Sequence, residues 1–295
     1  MDSPGRPAWD RDAKDWPNRA ASRFVSADGL RWHVQIMGQG PYALLLHGTG
    51  SATHSWRGLA PALVRDFTIV APDMPGHGFT ASPPAFKLSL PGMARAIAAL
   101  LAALDVRPEV TIGHSAGAAI LARMALDGAI APRGIVSLNG ALLPMRGPAS
   151  GFFAPAAKLL ASLPLVPSLL AWRARDRHAI ERLLEQTGSR IEPAGIEFYR
   201  RLIANPEHVA ATLAMMAHWD LPGLARDLPK LATPLALVVG GNDRTVPHGD
   251  AERVRALVAH ATIDTQDGLG HLAHEEDPEG TAEIVRRRAA TWPSG

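Results

Sequence analysis

The chain has 295 residues, and its 30 Lys plus Arg against 28 Asp plus Glu leave a formal net charge of +2. A hydrophobic fraction of 47% with 20% charged residues is the profile of a globular chain, built as one large α/β domain or as one domain with an insertion. There are no cysteines, which excludes disulfides, zinc thiolates and a cysteine nucleophile. No stripe of Lys and Arg marks a nucleic-acid binder, since the densest run, Arg286-Arg287-Arg288, reads as the last turn of a C-terminal helix.

Residues 1–21 read as a polar arm. "WDRDAKDWPNR" has no apolar run of the kind that forms a secretory signal, and with the lack of cysteines the expected location is the cytoplasm. The arm is too polar to form its own core. Trp9 and Trp16 can pin it to the body or to a partner, and a partly disordered arm is an equal expectation.

Next, "LRWHVQIM" puts Leu30, Trp32, Val34 and Ile36 on one face and Arg31, His33 and Gln35 on the other, the period of a half-buried strand. "YALLLHG" and "FTIVAPD" are short continuous apolar runs, as expected of parallel strands buried on both faces. "EVTIGHS", "GIVSLNG" and "LALVVGGND" repeat the theme. Helical stretches lie between the runs, in "SWRGLAPALVRD", "LPGMARAIAALLAAL" and "AGAAILARMAL". This alternation predicts a mostly parallel sheet with helices on both faces and an antiparallel edge made by the earliest strands.

The alternation stops after Gly140 and resumes at Leu235. Residues 141–226 are therefore expected to form a helical cap inserted into a core of residues 22–140 and 227–295. Val209, Leu213 and Met216 fall on one helix face, and Ile180, Leu183 and Leu184 on another. Residues 151–172 are apolar with Lys158 as their one charge, but Pro155, Pro164 and Pro167 argue against a single membrane-spanning helix. Short helices with an apolar face are expected there, facing protein, ligand or the surface of a membrane.

Gly113-His114-Ser115-Ala116-Gly117 has the G-x-S-x-G pattern, after a buried strand and before a helix. A serine on such a turn is held in a strained geometry, and its glycines avoid clashes with the neighbouring strand and helix. Serine is a weak nucleophile without a base and a group to orient that base. In this arrangement the acid and then the histidine follow in the chain. Asp243 ends the run "VVGGND", and His271 lies in the glycine-rich "GLGHLAHEEDPE". His274 is the competing base and is disfavoured because it opens the next helix. Asn139 occupies the other position where an acid could stand, but it cannot stabilise an imidazolium by charge. His47 and His114 have no metal-ligand spacing around them and read as histidines bonded to loop backbone. An acyl transfer also needs donors for the oxyanion. The expected donors are the N–H of Ala116 and that of Thr49 in His47-Gly48-Thr49-Gly50, with Gly50 as the alternative to Thr49. Each such donor is typically worth about 3 kcal/mol of barrier. "DMPGHGFT", Asp73 to Thr80, reads as loop architecture beside this site.

Taken together, His47-Gly48, "DMPGHG", "GHSAG", "GGNDRTVP" and "GHLAHEEDPE" resemble the α/β-hydrolase superfamily from about Phe24 onward. The resemblance implies a serine-type ester or acyl hydrolase with Ser115, Asp243 and His271 as its triad. Epoxide hydrolases and haloalkane dehalogenases of this fold use an aspartate nucleophile, where this chain has Ser115. Epoxide hydrolases also use cap tyrosines, and only Tyr199 lies in the expected cap. "WDRDAKDWPNRAASRFV", "HGTGSATHSWRGLAP" and the stretch from Leu183 to Leu221 resemble, more narrowly, the magnesium-chelatase accessory proteins of bacteriochlorophyll biosynthesis. That family is a branch of the α/β-hydrolases found in phototrophic bacteria. The resemblance implies a role around magnesium insertion into protoporphyrin, with magnesium chelatase subunits as partners, and it assigns no reaction to Ser115.

A pocket for an apolar ester or a porphyrin-type substrate is expected from His114, Phe152, Phe153, Trp172, Met215, Met216 and Trp219, because Met adapts to irregular ligands and Trp offers flat faces. Arg173, Arg175 and Arg177 either meet carboxylates such as porphyrin propionates or face water. The competing expectation is that the apolar residues only hold the cap onto the core. No dinucleotide fingerprint, P-loop or metal-ligand set is present in the sequence, so no bound cofactor is expected. A non-catalytic porphyrin- or chelatase-binding factor is the alternative to an enzyme.

Overall fold

A computed structural model describes residues 5, 7–144, 160 and 163–293. Eight strands form one sheet: β1 (Ser22–Ala27), β2 (Leu30–Met37), β3 (Tyr42–Leu46), β4 (Thr68–Pro72), β5 (Val110–His114), β6 (Gly134–Leu138), β7 (Leu235–Gly240) and β8 (Thr262–Gln266). Their order across the sheet is β1-β2-β4-β3-β5-β6-β7-β8. β2 pairs antiparallel with both β1 and β4, while every pairing from β4 to β8 is parallel.

Parallel strands alternate with helices because a crossover connection must return the chain to the end of the sheet where the previous strand began. α2 (Leu59–Leu63) follows β3, α3 (Leu90–Ala103) follows β4, and α4 (Ala116–Leu126) follows β5. α10 (Gly249–Leu257), α11 (Ala273–Glu276) and α12 (Pro278–Thr291) complete the core. The unbroken apolar runs of the strands follow from the two covered faces. Leu44 and Leu46 pack with Met93, Ile97 and Leu121 of α3 and α4, while Leu45 between them packs with Leu63 and Val285 of α2 and α12.

Between β6 and β7 the described chain is helical: α5 (Val166–Arg173), α6 (Arg177–Glu185), α7 (Pro193–Ile203), α8 (Pro206–Ala217) and α9 (Leu221–Asp227). α7 and α8 open on proline, whose missing N–H costs nothing in a first turn. Asp176 caps α6 by accepting from the N–H of His178 at 3.0 Å. Ile180 and Leu184 of α6 pack on Ile196 and Tyr199 of α7 and on Leu272, which joins this layer to the core.

The N-terminal segment lies on the body. α1 (Trp9–Asp12) precedes a turn that buries Trp16 against Phe79 and Phe198, and the Trp16 indole donates to Thr53 Oγ1 at 3.0 Å. Trp9 packs on Phe24, His33 and Phe79. This segment changes the reading of β2. Its polar face is covered as well, so His33 and Gln35 are buried, and Gln35 Nε2 donates to the Pro17 carbonyl at 2.7 Å. Among the described residues, no helix is long and apolar enough to cross a membrane.

Candidate active site

The turn from β5 into α4 carries Ser115 at φ 51°, ψ −115°, a positive φ that an L side chain rarely adopts. The turn is held on both sides. The Ser115 N–H donates to the Leu138 carbonyl at 3.0 Å, and its own carbonyl accepts from Ala118 and Ala141. Close packing explains a flanking glycine, since a Cβ on Gly117 would overlap the carbonyl oxygen of Leu46. The loop after β3 also comes near, because a Cβ on Gly48 would stand 2.8 Å from His114 Nδ1 and 3.2 Å from Ser115 Cβ. The Ala116 N–H is the first of α4, so it has no acceptor within the helix.

Asp243 and His271 lie past the C-terminal ends of β7 and β8. His271 Nδ1 is 2.8 Å from Asp243 Oδ2, and both side chains are nearly buried. The other Asp243 oxygen accepts from the N–H groups of Thr245 and Val246 at 2.7 and 3.0 Å. With Nδ1 engaged, Nε2 is the His271 nitrogen left for proton exchange. The backbone of His271 is gripped separately. Its carbonyl accepts from His114 Nε2 and from Asn139 Nδ2, both at 2.9 Å. Asn139 thus stands where a second acid was considered, and its work is to hold backbone.

Ser115 and His271 line a cavity of about 660 Å³ between the core and α5–α8, within the range of small-molecule sites. Thr49, Gly50 and Ser51 form its floor beside them, and Leu170, Ile180, Leu184, Val209 and Leu213 make most of its wall apolar. His208 holds the floor loop by donating from Nε2 to the Gly50 carbonyl at 3.1 Å.

Of the pocket residues expected from sequence, His114 and Met216 line this cavity, and Phe152 and Phe153 lie outside the described residues. Three others require correction. Trp172 is 62% exposed on the outer side of α5. Met215 is fully buried one step round α8 from Met216, with its sulfur 3.7 Å from the Thr49 hydroxyl. Trp219 packs against the main core cluster instead. Arg173 reaches the cavity rim, while Arg175 and Arg177 are exposed and form no part of the lining.

His274, the weaker candidate base, is buried between the rings of Trp56 and His114, at centroid distances of 4.8 and 4.5 Å. Burial, with Arg57 and His271 nearby, pushes its pKa down to about 3, so it is a neutral packing group at ordinary pH. Burial likewise holds His114 well below the usual range, aided by His274 and His271. His47 is bonded on both sides by loop backbone, to the Gly48 carbonyl and from the Met74 N–H. Among the described residues, no group of three or more His, Asp or Glu side chains is placed to hold a metal ion.

One network went unread in the sequence. The side chain of Glu275 is fully buried next to the site and pairs with Arg57, which also reaches Glu192 at 2.8 Å. Tyr199 of the cavity wall donates to Glu275 Oε1 at 2.6 Å and lies 3.2 Å from Ser51 Oγ. Burial raises the Glu275 pKa, against the pull of Arg57 and Tyr199. Asp73 shows the opposite balance: burial would raise it, but His33 and the Phe79 N–H hold it below the usual carboxylate range. Asp73 also accepts from the Thr53 N–H at 2.7 Å, so "DMPGHGFT" is a brace for the first loop.

The profile of the alpha/beta hydrolase family matches residues 43–284. The chain is 39% identical over 274 residues to the magnesium-chelatase 30 kDa subunit of Rhodobacter capsulatus, covering 92% of this chain and 95% of that one. It is 30% identical to the pyrrolizixenacetamide deacetylase of Xenorhabdus hominickii, over 85% and 91% of the two chains. Among solved structures, a serine hydrolase involved in carbazole degradation superposes with TM-score 0.74 at 21% identity, covering 91% of this chain and 98% of that one. Sheet order, serine turn and family match agree, and the chain belongs to the alpha/beta hydrolase family.

Proposed function

We propose that the protein is a serine-type acyl hydrolase that acts on an apolar ester, or on a porphyrin-type ester, held under the cap. Ser115 Oγ attacks the acyl carbon while His271 Nε2 takes its proton, and Asp243 orients and stabilises the imidazolium. The N–H groups of Ala116 and Thr49 bind the oxyanion. His271 then passes the proton to the departing alcohol, and water, activated by the same histidine, releases the acid and restores Ser115. The observation that carries this reading is the 2.8 Å His271–Asp243 bond beside an apolar cavity that His271 shares with Ser115. The similarity to a deacetylase supports it. Fluorophosphonate labelling tests it. The wild type should label, while Ser115→Ala and His271→Ala should not. A folded wild type that neither labels nor cleaves a short-chain ester overturns the reading.

We infer further that this work is done in the cytoplasm, beside magnesium insertion in bacteriochlorophyll biosynthesis, with chelatase subunits as partners, a reading that the likeness to a magnesium-chelatase subunit supports. The same likeness favours a second reading, a porphyrin- or chelatase-binding factor in which Ser115 does no chemistry. Ser115→Ala separates the two: under the first reading it abolishes the biological role, and under the second it leaves that role intact.

A further inference from the structure

Among the described residues, nine large apolar side chains are exposed, and seven of them lie between Leu160 and Leu183. Leu165 is 80% exposed, Trp172 62% and Leu169 60%, all on α5 or the residue before it. A monomer that keeps such residues together on one surface is presenting them to something. The patch continues inward. Leu170 and Leu183 are exposed and also line the cavity that holds Ser115, so the exposed apolar residues of α5 and α6 reach the cavity itself.

Charge indicates what meets this surface. Of the acidic groups alongside, Asp176 faces Arg182 at 3.9 Å and Glu181 faces His178 at 3.3 Å. Arg173, Arg175 and Arg177 have no ion-pair partner among the described residues, and Glu185 on α6 is in neither of those pairs. Leucine and tryptophan edged by arginine are the side chains that rest in a lipid headgroup layer.

We propose that α5 and its flanks dock on an anionic membrane surface, so that the cavity mouth opens onto the bilayer and admits an apolar substrate directly from it. The docking is independent of the chemistry proposed for Ser115; only the delivery of an ester rests on that reading.

Co-flotation with vesicles of phosphatidylcholine alone, and of phosphatidylcholine with equal phosphatidylglycerol, tests the docking. The wild type and Ser115→Ala should float with the phosphatidylglycerol vesicles. Leu165→Asp/Leu169→Asp and Arg173→Gln/Arg175→Gln/Arg177→Gln should each bind about tenfold or more weakly. Urea midpoints should match the wild type, because the substituted side chains are exposed. The proposal is overturned if the wild type stays in the aqueous fraction with both vesicles, or if Leu165→Asp/Leu169→Asp floats like the wild type. It is also overturned if that pair of substitutions dissolves a dimer, or releases a chelatase subunit, with no vesicle binding in the wild type. A second readout concerns delivery: Leu165→Asp/Leu169→Asp should slow cleavage of an ester held in vesicles and spare a water-soluble ester. If the soluble ester is not cleaved at all, the hydrolase reading fails while the flotation result still decides the docking.

Discussion

Asn139 Nδ2 donates to the carbonyl of His271 at 2.9 Å and to that of Gly270 at 3.0 Å. Its Oδ1 accepts from the Gly240 N–H at 2.7 Å. One buried side chain thereby ties the ends of β6 and β7 to the loop that carries His271. Asn139 also sits at φ 46°, a conformation asparagine tolerates better than most residues. Asn139→Ala removes three bonds, leaving the Gly270 carbonyl and the Gly240 N–H without this partner and the His271 carbonyl with His114 alone, at a cost of about 3 kcal/mol. Its urea midpoint should fall accordingly, and under the proposed hydrolase mechanism fluorophosphonate labelling of Ser115 should slow at least about tenfold as His271 loses its place. Asn139→Gly relaxes the backbone without restoring the bonds, so it should label as slowly. Wild-type labelling in both would show that the His271 loop holds itself.

Ser115 has a different cost. At φ 51° and ψ −115° its backbone stores strain of about 1–3 kcal/mol, imposed by the bonds that fix the turn. Glycine adopts this conformation freely, offset in part by about 0.5–1 kcal/mol of extra unfolded-state entropy. Ser115→Gly should therefore be more stable than wild type by about 1 kcal/mol, while Ser115→Ala, which keeps the Cβ, should not. Thermal unfolding measures the difference. Equal gains in the two variants would mean that the Ser115 hydroxyl, and not the backbone, carries the strain.

The strands and the turn around Ser115 were legible because their signals are local. A buried parallel strand needs a continuous apolar run, and a tight turn needs its glycines. Apart from His114 and Met216, the cavity wall was not legible. Met215 and Met216 are adjacent in sequence, yet one helical step of about 100° buries the first and turns the second into the cavity. Trp172 lies in an apolar stretch whose facing is set by how α5 rests on α8, which periodicity does not record. The Arg57–Glu275–Tyr199 network joins three distant segments, which no local pattern connects. His33 and Gln35 read as a solvent face because the segment that covers them comes from before the first strand.

The same network should rank two substitutions. Arg57→Gln leaves the Glu275 carboxyl buried without its counter-charge, a defect of about 3–5 kcal/mol when one partner of a buried pair is removed. Tyr199→Phe removes a neutral donor to Glu275 and a contact to Ser51, worth about 1–2 kcal/mol. Urea unfolding should place Arg57→Gln well below Tyr199→Phe. The reverse order would assign the structural burden to the hydroxyl and not to the ion pair.

His274 makes a prediction in pH. In the unfolded chain an imidazole takes up a proton near its ordinary pKa of 6.5, whereas in the folded protein burial holds His274 neutral down to about 3. The unfolded state therefore binds more protons throughout that window, and stability falls as the pH drops below about 6.5. Near pH 5.5 the loss from this one residue is about 1.4 kcal/mol. His54, His77 and His114, all held well below the usual range by burial, add to the same slope. Neither His274 nitrogen has a hydrogen-bond partner among the described residues, so an apolar ring fits the slot between Trp56 and His114. His274→Phe should match the wild type within about 1 kcal/mol at pH 8. Between that pH and 5.5 the variant should lose less stability than the wild type by the amount His274 contributes. Stability curves that stay parallel across the window would mean that the His274 ring takes its proton in the folded state, and that Trp56 and His114 leave it room to do so.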